Sequence, residues 1–251
     1  MTTSVCFRDV SVSFSGHMAL RNIDVSFPVG RISVLTGRSG SGKTTLLRSV
    51  NRLNEEFPGC MTSGGVFLDL GDGERDIYAH GLNENFFLPE LRRRVGMLFQ
   101  TPNLFPVSIL QNIVMPLKIV AGLPGPAAEE AARIGLESVG LWKELKDRLR
   151  KPAATLSGGQ QQRLCLARLL ALSPAVLLLD EPTAFLDAHA AREIEELLQS
   201  LAPRYTIIMV SHGLAQARRV AEQILVCEHG AISKVVKVDE SLAETALAEL
   251  L

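Results

Sequence analysis

The run Gly37-Arg38-Ser39-Gly40-Ser41-Gly42-Lys43-Thr44-Thr45 constrains the fold of this chain more than any other stretch. It follows a short β-branched, apolar segment at residues 32–36 and precedes an amphipathic helical pattern at residues 46–50. A strand, a glycine-rich turn and a helix in this order form the setting that a phosphate-binding P-loop requires. Glycines let backbone N–H groups turn inward around an anion, and the helix start adds a partial positive charge. The sequence therefore predicts a nucleoside triphosphate site in an α/β fold.

Two side chains of this run have predicted roles of their own. Lys43 can reach the terminal phosphates as a point charge, and the Thr44 hydroxyl can ligate Mg²⁺. The alternative is a glycine-rich turn that carries an exposed lysine. The strand and helix on either side favour the phosphate site.

Composition limits the classes of protein that this chain can belong to. The 251 residues include 26 basic and 27 acidic side chains, so no global field recruits nucleic acid or an anionic membrane. No apolar run approaches the roughly 20 residues that span a bilayer, and no signal peptide is visible. The cysteines are far apart in the sequence and are expected to be reduced thiols of a cytoplasmic protein: Cys6, Cys60, Cys165 and Cys227.

The first third of the chain shows strand patterns on both sides of the P-loop. Residues 4–29 alternate apolar and polar side chains around a turn at residues 15–17, which predicts antiparallel strands. Phe14 comes just before that turn and can stack on a base, although the sequence alone favours core packing. Residues 64–70 predict another strand, and residues 71–89 a polar surface excursion.

Gln100 follows a basic helix end and an apolar strand within residues 91–100, where it would emerge near the phosphate site. An ordinary loop glutamine is the alternative. Residues 102–150 then change character, because prolines interrupt helical patterns at 127–139 and 141–149. We expect a small helical lobe here, and we interpret residues 103–119 as an apolar loop that either docks a partner or packs inside the lobe.

The stretch Leu156-Ser157-Gly158-Gly159-Gln160 precedes a predicted helix at residues 161–172. Ser157 and Gln160 have the spacing of a capping box, which would explain those two residues alone. The two glycines between them are not needed for a cap and disfavour a helix by about 1 kcal/mol each. Exposed N–H groups at this helix start predict a second anion site.

Two carboxylates follow a buried strand pattern at residues 175–179. Ligands bind at the carboxyl edge of such sheets, so Asp180 suits the Mg²⁺ shell and Glu181 suits the orientation of an attacking water. The alternative is that both acids cap a helix starting at Pro182. A charged helix is predicted at residues 190–201, with its acids on a solvated face.

His212 follows the last predicted parallel strand, residues 205–210. A neutral imidazole there can contact the terminal phosphate or position water. A single histidine at a strand end more often has a structural role. Only the position of His212 after the other motifs suggests a functional one.

In their order and spacing these motifs resemble the ATP-binding cassette of ABC transporters, over nearly the whole chain. The resemblance implies a P-loop NTPase (RecA-like) α/β core, residues 1–100 and 157–251, with an N-terminal antiparallel β subdomain and a helical lobe at 101–156. It implies that two cassettes, as a homodimer or as a pair with a paralogue, hold ATP and Mg²⁺ between the P-loop of one and residues 157–160 of the other. Its implied site residues also include Phe14 on adenine, Gln100 as a contact to Mg²⁺ and water, Asp187, and His212 at the γ-phosphate.

Within that family the chain is similar to the ATPase subunits of bacterial phosphate importers at residues 51–54, 91–106 and 158–168. The resemblance implies transmembrane permease subunits, a solute-binding protein as an indirect partner, and a peripheral position on the cytoplasmic face of the cell membrane. Departures at 184–185, Gly213 and residues 231–251 leave another small anion or a polar amino acid open as the substrate. A soluble ABC ATPase and an ATP-dependent switch are the alternatives from other classes.

Overall fold

The chain is described here by a computed structural model, which covers residues 3–70, 73–79 and 84–238. Its strands are β1 (Thr3–Phe14), β2 (His17–Pro28), β3 (Ile32–Thr36), β4 (Cys60–Asp69), β5 (Glu74–Asp76), β6 (Val95–Leu98), β7 (Val176–Asp180), β8 (Thr206–Val210), β9 (Gln223–Glu228) and β10 (Ala231–Lys237). Its helices are α1 (Lys43–Ser49), α2 (Glu84–Arg94), α3 (Ile109–Ile119), α4 (Gly125–Ser138), α5 (Trp142–Leu145), α6 (Gly158–Ala171), α7 (Ala188–Leu201) and α8 (Leu214–Val220). Short 3-10 helices lie at Leu53–Glu56 and Ala153–Thr155. None of the helices in the described ranges combines the length and the apolar character that crossing a membrane needs.

Two sheets organise the described residues. The antiparallel sheet has the order β2-β1-β4-β5, and the larger sheet has the order β10-β9-β3-β8-β7-β6. In the larger sheet β9, β3, β8, β7 and β6 run parallel, and β10 pairs antiparallel with β9. The mixed α/β architecture predicted from the sequence is confirmed.

Short strands that are buried on both faces explain the apolar runs of the sequence. Every residue of β3, β6, β7 and β8 is buried. One apolar cluster fills the space between the two sheets, and another joins the large sheet to α3, α4, α6 and α7. Because β3, β7 and β8 are neighbours and parallel, the loops that follow them open at one edge of the sheet.

The interpretation of residues 103–119 as a loop is wrong for most of that range. Helix α3 occupies Ile109–Ile119, and its residues Ile109, Ile113 and Leu117 are fully buried in the second cluster. Their spacing of four places them on one helix face. Prolines at both ends of the range hid this pattern, although Pro116 lies inside the helix.

Three further expectations, and one of the alternatives given above, also need correction. The predicted surface excursion at 71–89 contains β5 and the first half of α2, while residues 71–72 and 80–83 lie outside the described part of the chain. The helical pattern at 141–149 forms only the short α5. The acids of α7 do not all face solvent, because Glu195 is buried against Arg219. No helix begins at Pro182, since α7 starts at Ala188.

Candidate functional site

Backbone conformation forms the P-loop, and two glycines are required for it. Gly37 has φ +134°, and a Cβ there would lie 2.2 Å from the carbonyl oxygen of Cys227. Gly42 has φ +101°, and its Cβ would meet the backbone oxygen of Ala19 at 2.8 Å. A side chain at Gly37 or Gly42 would therefore clash with neighbouring backbone, and the left-handed conformation of both residues also disfavours one. The loop packs tightly between β2 and the end of β9.

Helix α1 begins directly at Lys43, and no described side chain caps its N-terminus at Gly42. The Lys43 side chain is only 5% exposed, and its Nζ donates to the carbonyl oxygens of Gly37 at 2.9 Å and Arg38 at 2.8 Å. Burial lowers the pKa of Lys43, and the nearby Cys227, Glu181 and Asp180 act in the opposite direction. An ammonium group held over uncapped N–H groups makes this helix start attractive to an anion.

Asp180 ends β7 beside the P-loop helix. Its Oδ1 accepts a hydrogen bond from the Thr44 hydroxyl at 3.1 Å. Burial raises the pKa of Asp180, and the bond from Thr44 counteracts that rise. Among the described residues, no group of three or more His, Cys, Asp or Glu side chains could hold a metal ion. A cation here would therefore need oxygen ligands from its substrate as well as from Thr44 and Asp180.

Glu181 brings together the ends of three parallel strands. Its Oε1 lies 2.6 Å from Nε2 of His212, which follows β8, and its Oε2 accepts from Nε2 of Gln100 at 3.1 Å. Glu181 has φ +46°, which is an uncommon conformation for a residue with a side chain. Such strain is found most often at functional sites.

A cavity of about 200 Å³ opens where these groups meet. Its lining residues are Ala19, Ser39, Gly40, Gly42, Lys43, Thr44, Thr45, Glu181 and His212. A second cavity of about 380 Å³ shares Ser39 and Gly40 with the first and extends along Arg38, Ser41 and residues 227–229. Ser41 is buried, and its Oγ has no hydrogen-bond partner within the described residues. The pair of cavities is an elongated polar cleft along the P-loop.

Residues 157–160 form the start of α6 and do not line the P-loop cavity in the described chain. The predicted capping box is present, because Ser157 Oγ accepts from Gln160 N at 3.3 Å and Gln160 Oε1 accepts from Ser157 N at 3.2 Å. Gln160 also donates to Glu144 of α5 at 2.7 Å. The second anion site proposed from the glycines of this run stays a prediction.

The structure gives two other predicted site residues local partners. Phe14 is partly buried at the end of β1, where its ring meets Phe57 edge to face at 6.2 Å. Asp187 caps α7 by accepting from the backbone N–H groups of His189 and Ala190, and these bonds lower its pKa. Neither residue lines the P-loop cavity. Their roles toward a nucleotide stay predictions.

Two glutamines beside the site carried no sequence signal. Gln162 on α6 is buried and donates to the carbonyl oxygen of Phe99 at 3.2 Å, next to Gln100. Gln216 on α8 contacts Thr183 and Ser211, which are close in sequence to Glu181 and His212. A glutamine on a short helix is typically exposed. Only the packing of distant helices shows that these two are not.

The polar cleft along the P-loop, the carboxylates at the end of β7 and the imidazole after β8 define a P-loop ATPase. The sequence profile described as ABC transporter matches residues 20–184 of this chain. The chain belongs to the ABC transporter family and is an ATP-binding, ATP-hydrolysing subunit of that family, as its motifs predict.

Curated relatives cover most of the chain. The phosphate import ATP-binding protein PstB of Colwellia psychrerythraea is 43% identical over 217 residues, 85% of this chain and 74% of the relative. PstB 2 of Mycobacterium tuberculosis is 45% identical over 215 residues, 86% of this chain and 75% of the relative. PstB 3 of Streptococcus pneumoniae is 40% identical over 229 residues, 89% and 88% of the two chains. The sequence resemblance to ATPases of phosphate importers is confirmed.

Solved structures share the fold at lower identity. CbiO1 from Clostridium perfringens, described as part of an ABC transporter complex, has a TM-score of 0.82 at 26% identity over 99% of this chain and 94% of that chain. The cassette MJ0796, solved as a dimer in a post-hydrolysis state with ADP and Pi, has a TM-score of 0.76 at 28% identity. That match covers 94% of this chain and 99% of MJ0796. The predicted ABC ATPase fold is confirmed.

Proposed function

We propose that this chain hydrolyses ATP with Mg²⁺ at the P-loop cleft and thereby powers phosphate import. One observation carries the catalytic part: Glu181 meets Gln100 and His212 beside the bonded pair Thr44–Asp180. Together these groups supply a cation site and a basic carboxylate at the mouth of one cavity. Transfer of a phosphoryl group to water requires both a bound cation and a group that positions the water.

The donor set fits the predicted magnesium. Thr44 and Asp180 offer a hydroxyl and a carboxylate, and Gln100 offers an amide oxygen once its side chain turns from Glu181. Mg²⁺ prefers a few such oxygens together with substrate phosphates and water. When bound, the ion would neutralise charge on the phosphate oxygens. The buried Ser41 hydroxyl and the ammonium of Lys43 face the same cleft and suit the phosphates themselves.

Glu181 is proposed to orient the water that attacks the γ-phosphate. His212 holds one oxygen of this carboxylate and Gln100 the other, so the direction of its lone pairs is fixed. His212 and Gln100 are themselves exposed, so water has access to this group of side chains. Lys43, Ser39 and Ser41 would bind the phosphates on the opposite side.

We further propose that ATP lies between two copies of this chain. At the start of α6, Ser157 and Gly158 are exposed and Gly159 and Gln160 are half-buried, and none of them lines the P-loop cavity of its own chain. A second copy would bring them to the phosphates, and the dimeric structure of MJ0796 supports this assembly. We also assign Phe14 and Asp187 to this interface. Phe14 would stack on adenine, and Asp187 would contact the facing copy.

Glu181→Gln tests both parts of this proposal. The variant should bind ATP but lose at least about a hundredfold in hydrolysis, and it should accumulate as a dimer with ATP and Mg²⁺. Light scattering with and without nucleotide measures the dimer. Glu196→Gln on the exposed face of α7 is the control and should behave as the wild type. A Glu181→Gln variant that hydrolyses normally contradicts the catalytic role, and an inactive monomer contradicts the trapped dimer alone.

Phosphate as the transported solute rests on the relatives named as phosphate import proteins. Deletion of the gene should abolish most uptake of labelled phosphate by phosphate-starved cells that lack a paralogous system. The wild-type gene should restore uptake, and the Glu181→Gln gene should not. Normal uptake in the deletion strain would remove phosphate and leave the ATPase activity in place.

A permease contact is proposed for the helical lobe (residues 101–156), at the cytoplasmic face of the membrane. Phe105 is 40% exposed, with the guanidinium of Arg168 4.8 Å from its ring centre. Ile119 and Val120 at the end of α3 and Ile134 on α4 are also exposed. Phe105→Ala should spare ATP hydrolysis by the isolated chain and lower both phosphate uptake and co-purification with detergent-solubilised permease. Unchanged uptake would show that Phe105 packs within the helical lobe and does not contact the permease.

A further inference from the structure

The loops that carry Glu181 and His212 are joined by one side chain outside the P-loop. Nε2 of Gln216 on α8 donates to Thr183 Oγ1 at 2.7 Å, and its Oε1 accepts from Ser211 Oγ at 2.7 Å. Thr183 lies two residues after Glu181, and Ser211 directly precedes His212. A single amide therefore ties the loop after β7 to the loop after β8.

An ion pair between the buried Glu195 and the partly exposed Arg219 fixes the orientation of this amide. Glu195 on α7 accepts from Nε and Nη2 of Arg219, both at 2.8 Å, and these bonds lower the pKa of its carboxyl. Glu195 is therefore a carboxylate that only accepts, and Gln216 Nε2 donates to it at 3.0 Å. Turning the amide over would place an oxygen against that carboxylate. The carbonyl of Gln216 must consequently face Ser211.

Ser211 passes this constraint to the residues around His212. Its hydroxyl donates to Gln216 and accepts from the backbone N–H of Gly213 at 3.1 Å. Gly213 precedes α8 and has no side chain with which to cap it, and its own N–H is bound by the Ser211 hydroxyl. The backbone on both sides of His212 is thereby held.

Without such a hold, the imidazole of His212 would have room to move. It is about half exposed and borders a cavity of about 300 Å³, which Thr183, Gln216 and Arg219 also line. A histidine with free space on one side keeps its contact with Glu181 only if its backbone is fixed.

We propose that Gln216 is a positioning residue that keeps His212 against Glu181, with the Glu195–Arg219 ion pair setting the direction of its amide. The inference rests on the proposed roles of Glu181 and His212 in ATP hydrolysis. It assigns a task in the site to α7 and α8, neither of which contacts the P-loop cavity through its helical residues.

Gln216→Met removes the amide and keeps the length of the side chain. We expect kcat for ATP hydrolysis to fall roughly five- to twentyfold, with KM for ATP within about twofold of the wild type. Gln199→Met is the matched control. Gln199 on α7 donates to the carbonyl oxygen of Arg219 at 2.6 Å, so it links the same helices without reaching either loop. Its loss should leave kcat unchanged.

A double variant separates positioning from general destabilisation. In the His212→Ala background, Gln216→Met should lower kcat by less than about twofold, because the residue that it positions is absent. Ser211→Ala, which removes only the hydroxyl link, should lower kcat in the same direction and serves if Gln216→Met folds poorly.

Several results would overturn the inference. They are unchanged kcat in Gln216→Met or Ser211→Ala, an equal fall in Gln199→Met, and independent effects in the double variant. Wild-type hydrolysis by Glu181→Gln would instead show that the proposed catalytic role is wrong, so the two failures are distinguishable.

Discussion

Helices α1 and α6 both begin at glycine-rich turns, yet their first turns are completed differently. No described side chain caps α1, whose preceding residue Gly42 has a left-handed backbone. Helix α6 begins after Ser157, and its capping box binds the N–H groups of Ser157 and Gln160. The first helix leaves its N–H groups to a ligand, while the second satisfies part of its own.

The glycines at the two helix starts differ in the same way. Gly37 is needed by the fold, since a Cβ there would collide with the backbone at Cys227. A Cβ on Gly158 would meet only Leu186 Cδ2, at the ordinary contact distance of 3.8 Å. Gly158 is also not among the residues with positive φ. Its presence is thus better explained by what approaches it from outside the chain.

The largest expected effect is on folding at the P-loop. Gly37→Ala should lower the free energy of unfolding by about 3 kcal/mol or more, because backbone at Cys227 would have to move. Urea denaturation measures the change. Gly40→Ala is the control, since Gly40 has φ +77° but a Cβ there meets nothing within 4 Å. It should cost only the strain of that backbone, about 1–2 kcal/mol. Equal losses in the two variants would contradict the steric account.

Lys43→Ala tests the uncapped helix start as an ATP site. Loss of the buried ammonium should remove roughly 1.5–3 kcal/mol of charge-assisted binding and weaken ATP affinity at least tenfold. Fluorescent ATP titration measures the affinity. Lys118→Ala, on the exposed end of α3, should leave it unchanged. Wild-type affinity in Lys43→Ala would remove this lysine from the site.

Gly158→Ala sharpens the comparison at α6. A methyl group there should leave the unfolding temperature unchanged or slightly higher, since alanine favours helix over glycine. Hydrolysis should nevertheless fall about tenfold, because the methyl group would hold the phosphates of a second copy away from the N–H groups. Normal hydrolysis together with normal stability would contradict an anion site at the start of α6.

Ser157→Ala should give a smaller loss of stability than Gly37→Ala. Loss of one helix cap costs about 1 kcal/mol, so thermal unfolding should shift by a few degrees. Ser138→Ala is a suitable control, because its hydroxyl bonds only within α4, to Ile134. A loss of stability as large as that of Gly37→Ala would show that α6 depends on its cap as strongly as the P-loop depends on Gly37.

The features that the sequence could predict depend on residues that are close together along the chain. The strand, P-loop and first helix are consecutive, and Asp180 and Glu181 directly follow five apolar residues, so their positions follow from neighbours along the chain. The capping box of Ser157 is equally local. Parallel strands then bring Glu181 and His212 to one sheet edge, and that much follows from the general rule for such sheets.

Residues that act through packing between distant segments could not be found in this way. Glu195 has the sequence context of an exposed acid, and only the approach of α8 buries it beside Arg219. The buried face of α3 was hidden by prolines that the helix accommodates. The partner of Phe14 was likewise unpredictable, because Phe57 comes from a segment that is distant along the chain.

The position of β3 in the large sheet has a consequence for how this protein is made. Its two hydrogen-bonded neighbours are β8 and β9, which are synthesised far later than the P-loop itself. At typical elongation rates, roughly ten to thirty seconds separate the emergence of β3 and β8 from the ribosome. During that interval the glycine-rich loop lacks Cys227, the backbone against which Gly37 packs. A nascent chain consequently acquires its nucleotide pocket only after β8 and β9 have emerged, and ATP can stabilise only chains that have reached that stage.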